Sequence, residues 1–128
     1  DHNTYKKDTN TNYINFDHAE LNEELLKYYK GLIELRKTHE AFRRAKSEEI
    51  NFIDEIKSEF ALGFSITKAE EKYLVIMNAE QNKSESFQLP EGEWEVLANQ
   101  NFAGTAGLYS ISGTVEIPAI SGMILKKK

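Results

Sequence analysis

The sequence predicts a mainly β protein in which one long N-terminal helix precedes an antiparallel β-sandwich of about seven to eight strands. Apolar residues recur at steps of three and four from Leu21 to Leu35, and from Glu49 onward the period falls to two. Short apolar segments then follow one another at spacings of roughly 8 to 12 residues, separated by Gly, Pro, Asn and Asp. This spacing is typical of antiparallel sandwiches and barrels.

Residues 1–16 are predicted to form a loop. Their sequence, DHNTYKKDTNTNYINF, is rich in Asn, Thr and Asp, which favour turns and irregular structure. The sequence has no initiator Met, and an opening loop of this kind favours interpretation as a segment of a longer protein.

A helix is predicted from about residue 17 to residue 39. Asp17 can cap its first turn, and the glutamates that follow lie near the positive end of the helix dipole. Gly31 costs about 1 kcal/mol relative to Ala inside a helix, so we expect another backbone to approach it closely. The apolar stripe consists of Leu21, Leu25, Tyr28, Leu32 and Leu35, widened by Tyr29, Ile33 and Arg36.

The sandwich is predicted to span residues 47–128, and the loop, helix and connection span residues 1–46. The segment KYLVIMNA is nearly continuous in apolar residues, as in a central strand covered on both faces. The predicted strands lie in EINFIDEI, FALGFSIT, KYLVIMNA, SESFQL, EWEVLA, LYSIS, TVEIPA and GMILKK, with turns around Pro90–Gly92, Gly113 and Pro118. The helix has one apolar face to bury, which either the sandwich or a partner outside this segment must cover.

Composition excludes several classes of function. The net charge of −5 disfavours nucleic-acid binding, and no apolar run approaches the roughly 20 residues of a membrane span. The absence of cysteine removes disulfides, thiolate nucleophiles and Cys-ligated zinc. We therefore expect neither a nucleic acid nor a membrane as a partner.

Catalytic and cofactor motifs are also missing from the sequence. It contains no GxSxG elbow, no HExxH and neither of the Gly-rich phosphate motifs, so no cofactor or metal is expected. His2, His18 and His39 do not have metal-ligand spacing. The carboxylates at Glu49, Asp54, Glu55 and Glu59 are interpreted as a polar strand connection rather than a glycosidase pair.

Three aromatic residues are candidates for stacking on sugars: Trp94, Phe102 and Tyr109. The alternation in EWEVL places Trp94 and Val96 on one strand face, which favours a core position for Trp94. Phe102 and Tyr109 flank a Gly- and Asn-rich loop, where they can serve as surface platforms, although Tyr109 can equally belong to the core.

Basic residues crowd the second half of the predicted helix, at Arg36, Lys37, His39, Arg43 and Arg44. Cations are favoured at the negative C-terminal end of a helix dipole, so the cluster needs no reaction to explain it.

The segment YYKGLIELRKTHEAFR resembles the last barrel helix of glycoside hydrolases of the α-amylase family, where an LIxLRKxHPAFR core precedes a β-rich tail. The most similar pattern is that of type I pullulanases, whose preceding loop reads approximately DHNSYNSPDEINxIDW. Here DHNTYKKDTNTNYINF fits without a gap, and VEIPAISGMILKK resembles the closing strands of the C-terminal sandwich. The chain departs from the pattern at Lys7–Thr9, at Asn15 and Phe16, and at Glu40, which replaces a proline.

This resemblance implies the C-terminal region of a debranching enzyme that hydrolyses α-1,6-glucosidic bonds in pullulan, starch or glycogen. Residues 1–46 would be the last barrel loop and helix, and the sandwich would stabilise and shield the upstream (β/α)₈ barrel. The catalytic carboxylates would lie upstream of Asp1, so this segment alone is expected to be inactive, and the α-glucan is a partner only through the whole enzyme. Asn3 and Tyr5 are the residues expected near the substrate.

Other interpretations of the residues remain open. Another α-amylase-family enzyme, such as an isoamylase, neopullulanase or branching enzyme, is one alternative, although the DHNTY loop favours a pullulanase. A starch-binding module that acts through the three aromatic residues is a second, and an interaction domain with no sugar role is a third.

Overall fold

The structure is a computed structural model, which describes residues 22–54, 56 and 58–128. Helix α1 spans Glu23–Thr38, the short helix α2 spans Ala41–Arg44, and a 3₁₀ turn spans Ser47–Glu49. The predicted loop, the Asp17 cap and the helix positions before residue 22 lie outside the described residues.

Among the helices that the structure describes, none is long and apolar enough to cross a membrane.

In the part of the chain that the structure describes, eight strands follow the helices and confirm the predicted sandwich. They are β1 (Ile50–Phe52), β2 (Ala61–Lys68), β3 (Glu71–Asn78), β4 (Glu85–Gln88), β5 (Trp94–Ala98), β6 (Tyr109–Ile111), β7 (Thr114–Ile117) and β8 (Ser121–Lys127). Six form one antiparallel sheet in the order β1-β2-β3-β8-β5-β6, and β4 pairs with β7 in a second, two-stranded sheet. Each strand coincides with a predicted apolar segment. Side chains alternate between the two faces of a strand, so a strand with one buried face shows apolar residues at every second position.

The space between the two sheets holds the first hydrophobic core. Its centre is Trp94, which lies on β5 and is fully buried, and the indole Nε1 donates a hydrogen bond to the Pro90 carbonyl at 3.1 Å. The other buried members are Leu74, Ile76, Phe87, Leu89, Val96, Ile117, Met123 and Leu125. Burial of this kind contributes about 25 cal/mol per Å² of apolar area, so this core is the main source of stability in the sandwich.

A second core lies on the opposite face of the six-stranded sheet, beneath the helices. It joins Leu35 of α1 and Ala41 of α2 to the sheet residues Ile66, Tyr73, Leu97 and Ala98. Strand β3 supplies Leu74 and Ile76 to the first core and Tyr73 to the second, which confirms the prediction of a central strand covered on both faces. The fold therefore has three layers, with the six-stranded sheet in the middle.

Gly31 lies at the closest approach between α1 and the sandwich. A Cβ atom at this position would overlap the backbone carbonyl of Ala103, in the loop between β5 and β6. The sequence prediction that another backbone approaches Gly31 is confirmed. A residue with a side chain would force the helix and the loop apart.

We predict that Gly31→Ala destabilises the protein. Ala is favoured over Gly by about 1 kcal/mol in an unobstructed helix, but overpacking against a backbone costs roughly 1–3 kcal/mol, so a net loss is expected. Urea unfolding followed by circular dichroism measures the change.

Gly104→Ala is the matched control, since a Cβ there meets nothing within 4 Å. Its unfolding free energy should stay within about 0.5 kcal/mol of the parent. Stabilisation by Gly31→Ala would contradict the close approach.

Candidate functional site

The C-terminal end of α1 carries the basic cluster, and two of its arginines donate hydrogen bonds to backbone carbonyl groups. The helix ends at Thr38 because His39 adopts an extended conformation. Arg36 Nη1 donates a hydrogen bond to the Phe42 carbonyl at 2.6 Å, and Arg43 Nε donates one to the Arg36 carbonyl at 3.0 Å. These bonds tie α1 to α2 and supply donors to carbonyls that a helix end leaves unsatisfied, which agrees with the interpretation of the cluster as helix-end cations.

His39 joins the end of α1 to the central strand. The buried Tyr73 hydroxyl donates to Glu71 Oε2 at 2.6 Å, so its oxygen accepts the 2.9 Å hydrogen bond from His39 Nδ1. The single hydroxyl proton therefore requires the His39 proton to be on Nδ1. On the far side of the network, Lys126 Nζ lies 3.2 Å from Glu71 Oε1.

The electrostatics of this network favour the neutral form of His39 and the charged form of Glu71. Burial and then the charge of Lys126 lower the pKa of His39, against the opposite influence of Glu71 and Glu95. Hydrogen bonds from Tyr73 and then Lys126 lower the pKa of Glu71. Burial, with the Glu71 carboxylate beside it, raises the pKa of the Tyr73 phenol. His39 Nε2 is buried and has no hydrogen-bond partner within the described ranges, so a second proton there would lack an acceptor.

We predict that His39 makes the protein less stable as the pH falls. Its pKa in the folded state lies below that of the unfolded chain, so the unfolded state takes up a proton first. The contribution of neutral His39 is complete above about pH 6.5 and decreases below it. Urea unfolding at about pH 7.5 and about pH 5.5 measures the loss.

His39→Asn is the informative variant, since an amide can still donate to Tyr73 and does not titrate. The loss of stability between the two pH values should shrink in this variant. His2 and His18 are present in both proteins, so their effects cancel, and an unchanged loss would contradict a role for His39.

The loop between β5 and β6 is fixed by Asn99. The Tyr28 hydroxyl of α1 donates to the Asn99 carbonyl at 2.6 Å, and the buried Asn99 Oδ1 accepts from the backbone N–H groups of Asn101 and Phe102, both at 2.9 Å. The Asn99 N–H also donates to the Phe102 carbonyl at 2.9 Å. The loop thus has a defined shape, and Phe102 is displayed at its tip.

The candidate stacking residues have different environments. Trp94 is fully buried and leaves no ring face for a sugar, which corrects its candidacy as a stacking residue and agrees with the favoured core position. Phe102 is 62% exposed and Tyr109 45% exposed, and Asn99 Nδ2 donates to the Tyr109 hydroxyl at 3.3 Å. Phe102 thus lies in the loop and Tyr109 at the start of β6, and Asn99 makes a hydrogen bond with each of them.

Asn3 and Tyr5, the residues expected near the substrate, lie outside the described residues. Within the described ranges, no group of three or more His, Cys, Asp and Glu side chains has the arrangement of a metal site.

Helix α1 has a second apolar stripe, which is exposed and does not belong to the core beneath the helix. Leu25, Tyr29 and Ile33 follow one another at steps of four residues and are 54%, 58% and 56% exposed. Leu26 lies beside them. In the sequence the two stripes merge into one wide apolar face, and only the packing of Leu35 and Gly31 on the sheet separates the buried stripe from the exposed one.

The same arrangement of a helix and a sandwich occurs in solved structures of two pullulanases and a trehalulose synthase. The pullulanase from Bacillus acidopullulyticus matches with a TM-score of 0.78 at 23% identity, over 88% of this chain and 15% of the other. The pullulanase from Anoxybacillus sp. LM18-11, solved with maltotetraose, matches with a TM-score of 0.75 at 20% identity, over 90% of this chain and 17% of the other. The trehalulose synthase from Pseudomonas mesoacidophila MX-45 matches with a TM-score of 0.67 at 22% identity, over 90% of this chain and 20% of the other.

The resemblance to pullulanases that the sequence motifs indicate is thus confirmed at the level of the fold. The chain spans between about a seventh and a fifth of the length of these three proteins. No protein-family model matches the sequence.

Proposed function

We propose that this chain is the C-terminal region of an α-amylase-family glycoside hydrolase of the pullulanase type. Residues 1–46 would complete the catalytic (β/α)₈ barrel, with α1 as its last helix, and residues 47–128 would form the sandwich that follows. The observation that carries this proposal is the pair of apolar stripes on α1, one packed on the sheet and the other exposed.

The exposed stripe supports a packing role for α1 outside the sandwich. Soluble domains rarely expose several neighbouring large apolar side chains, and such patches mark interaction surfaces. In a (β/α)₈ barrel, each outer helix packs one face on the barrel strands. The Leu25, Tyr29 and Ile33 stripe suits that position, while Leu35 and Gly31 keep the same helix attached to the sandwich.

The apolar surface continues from the helix onto the six-stranded sheet. Leu25 lines one depression together with Ile120 and Gly122. Gly122 pairs with Met77 of β3, which pairs with Leu62 of β2, and both of these side chains are exposed. A barrel that covers α1 would therefore also have apolar sheet residues to contact.

In this proposal the chemistry belongs to the barrel. The nucleophilic and acid/base carboxylates that retaining hydrolysis requires would lie upstream, and the sandwich would stabilise and shield the barrel. The bonds cleaved would be the α-1,6-glucosidic bonds of pullulan, starch or glycogen. Support for this specificity comes from the DHNTYKKDTNTNYINF loop motif and from the pullulanase neighbours.

A second candidate is another enzyme of the α-amylase family. The trehalulose synthase shares the fold over 90% of this chain, so the arrangement of helix and sandwich is common to enzymes of different specificity. Hydrolysis of pullulan by the longer natural protein distinguishes the two candidates.

We predict that the cost of Ile33→Ser depends on chain length. In the 128-residue chain Ile33 is exposed, so the substitution should change stability by about 0.5 kcal/mol or less beyond the helix propensity of Ser. In the longer natural protein the residue would be buried, and the loss should reach roughly 2 kcal/mol or more. Thermal unfolding of both proteins measures the difference.

Lys30→Ser is the control at an exposed position of the same helix, where Ser is a slightly weaker helix former than Lys but removes no apolar side chain. Its effect should be small in both proteins. An equally small effect of Ile33→Ser in the longer protein, or failure of that protein to hydrolyse pullulan, would contradict the proposal.

A further inference from the structure

We propose that the cleft between α1 and the β5–β6 loop binds a neutral oligosaccharide, with the Phe102 ring as the stacking surface. The assignment of that oligosaccharide to an α-glucan rests on the proposed function.

The cleft has the size and lining of a small ligand site. It encloses about 310 Å³ and is lined by Glu24, Lys27, Tyr28, Asn101, Phe102 and Ala103. Ligand sites begin at about 300 Å³ and combine an apolar or aromatic surface with a few polar groups. This volume suits one or two sugar units of a longer chain, with the rest of the chain in solvent.

Phe102 is exposed even though its backbone is held in place. Its N–H and its carbonyl are both hydrogen-bonded to Asn99, and Asn99 is in turn bound by Tyr28 of the helix. Because the backbone at Phe102 already has these hydrogen bonds, a ligand that covers the ring need not order the loop first. The exposed Phe102 ring therefore offers a flat apolar surface on which the C–H face of a sugar ring can stack.

The polar groups of the cleft favour an uncharged ligand that is rich in hydroxyl groups. Glu24 and Lys27 carry opposite charges, so the charges of the lining residues that the structure describes balance and select neither an anion nor a cation. A carboxylate, an ammonium group and the amide of Asn101 together offer both acceptors and donors to sugar hydroxyls. Hydrogen bonds to charged groups are the stronger ones, which suits a ligand without charge of its own.

The Lys27 side of the cleft lies away from the exposed apolar stripe, while Glu24, Tyr28 and Asn101 line both the cleft and the neighbouring depression that Leu25 lines. With about 100° per residue, Lys27 lies roughly 200° around the helix axis from Leu25. A barrel that covers Leu25, Tyr29 and Ile33 would thus leave the Lys27 side, and with it Phe102, open to solvent. Phe102 would therefore stay accessible to a ligand while the barrel covers the apolar stripe.

Calorimetric titration of the 128-residue chain with maltotetraose tests the proposal. We expect a dissociation constant on the order of 1 mM, weakened at least about fivefold by Phe102→Ala, since loss of an aromatic anchor typically costs more than 1 kcal/mol. Indole fluorescence is a poor reporter here because Trp94 is buried. Circular dichroism checks that the variant is folded.

Phe52→Ala is the matched control, because Phe52 is 65% exposed and lies on the edge strand β1, outside the cleft. This variant should bind maltotetraose like the parent. No binding by the parent at millimolar maltotetraose, or equal binding by Phe102→Ala, would contradict the proposal that the cleft binds sugar through Phe102. Pullulan hydrolysis by the longer protein tests the proposed function separately, and its failure alongside Phe102-dependent binding would overturn only the enzyme assignment.

Discussion

The contact between the backbone of α1 at Gly31 and the carbonyl of Ala103 is the constraint on which the rest of the structure depends. Because no side chain separates the two segments, Tyr28 can reach the Asn99 carbonyl and Leu35 can enter the core beneath the helix. The same contact fixes the rotation of the helix about its axis. That rotation decides which apolar residues are buried on the sheet and which point away from it.

Much of the fold could be predicted from the sequence, because its elements are local. The helix period and the strand alternation depend on residues close in the chain, and the structure confirms both. Gly31 was also predictable, since a glycine in a helix interior needs a compensating contact. The division of the wide apolar face into two stripes was not predictable, because Leu32 and Ile33 are equally apolar and only the position of the sheet distinguishes them.

The candidate sites depend on contacts between distant parts of the chain, and the sequence carries little signal for those. His39 meets Tyr73 34 positions away, and Tyr28 meets Asn99 71 positions away. The alternation around Trp94 did indicate its core position. The hydrogen bonds of Asn99 fix the shape of the loop that carries Phe102, and the asparagine content of the loop was the sequence signal for that shape. Asn3 and Tyr5 stay predictions.

The central claim is that α1 is shared between the sandwich and a larger catalytic unit. Hydroxyl-radical footprinting of Tyr29, read by mass spectrometry, tests it most directly when the 128-residue chain is compared with the longer protein that the proposal implies. Tyr29 is 58% exposed here, and covering its ring should lower its oxidation rate by about tenfold or more in the longer protein, while Phe102 should keep its rate. Equal oxidation of Tyr29 in the two proteins would contradict the account.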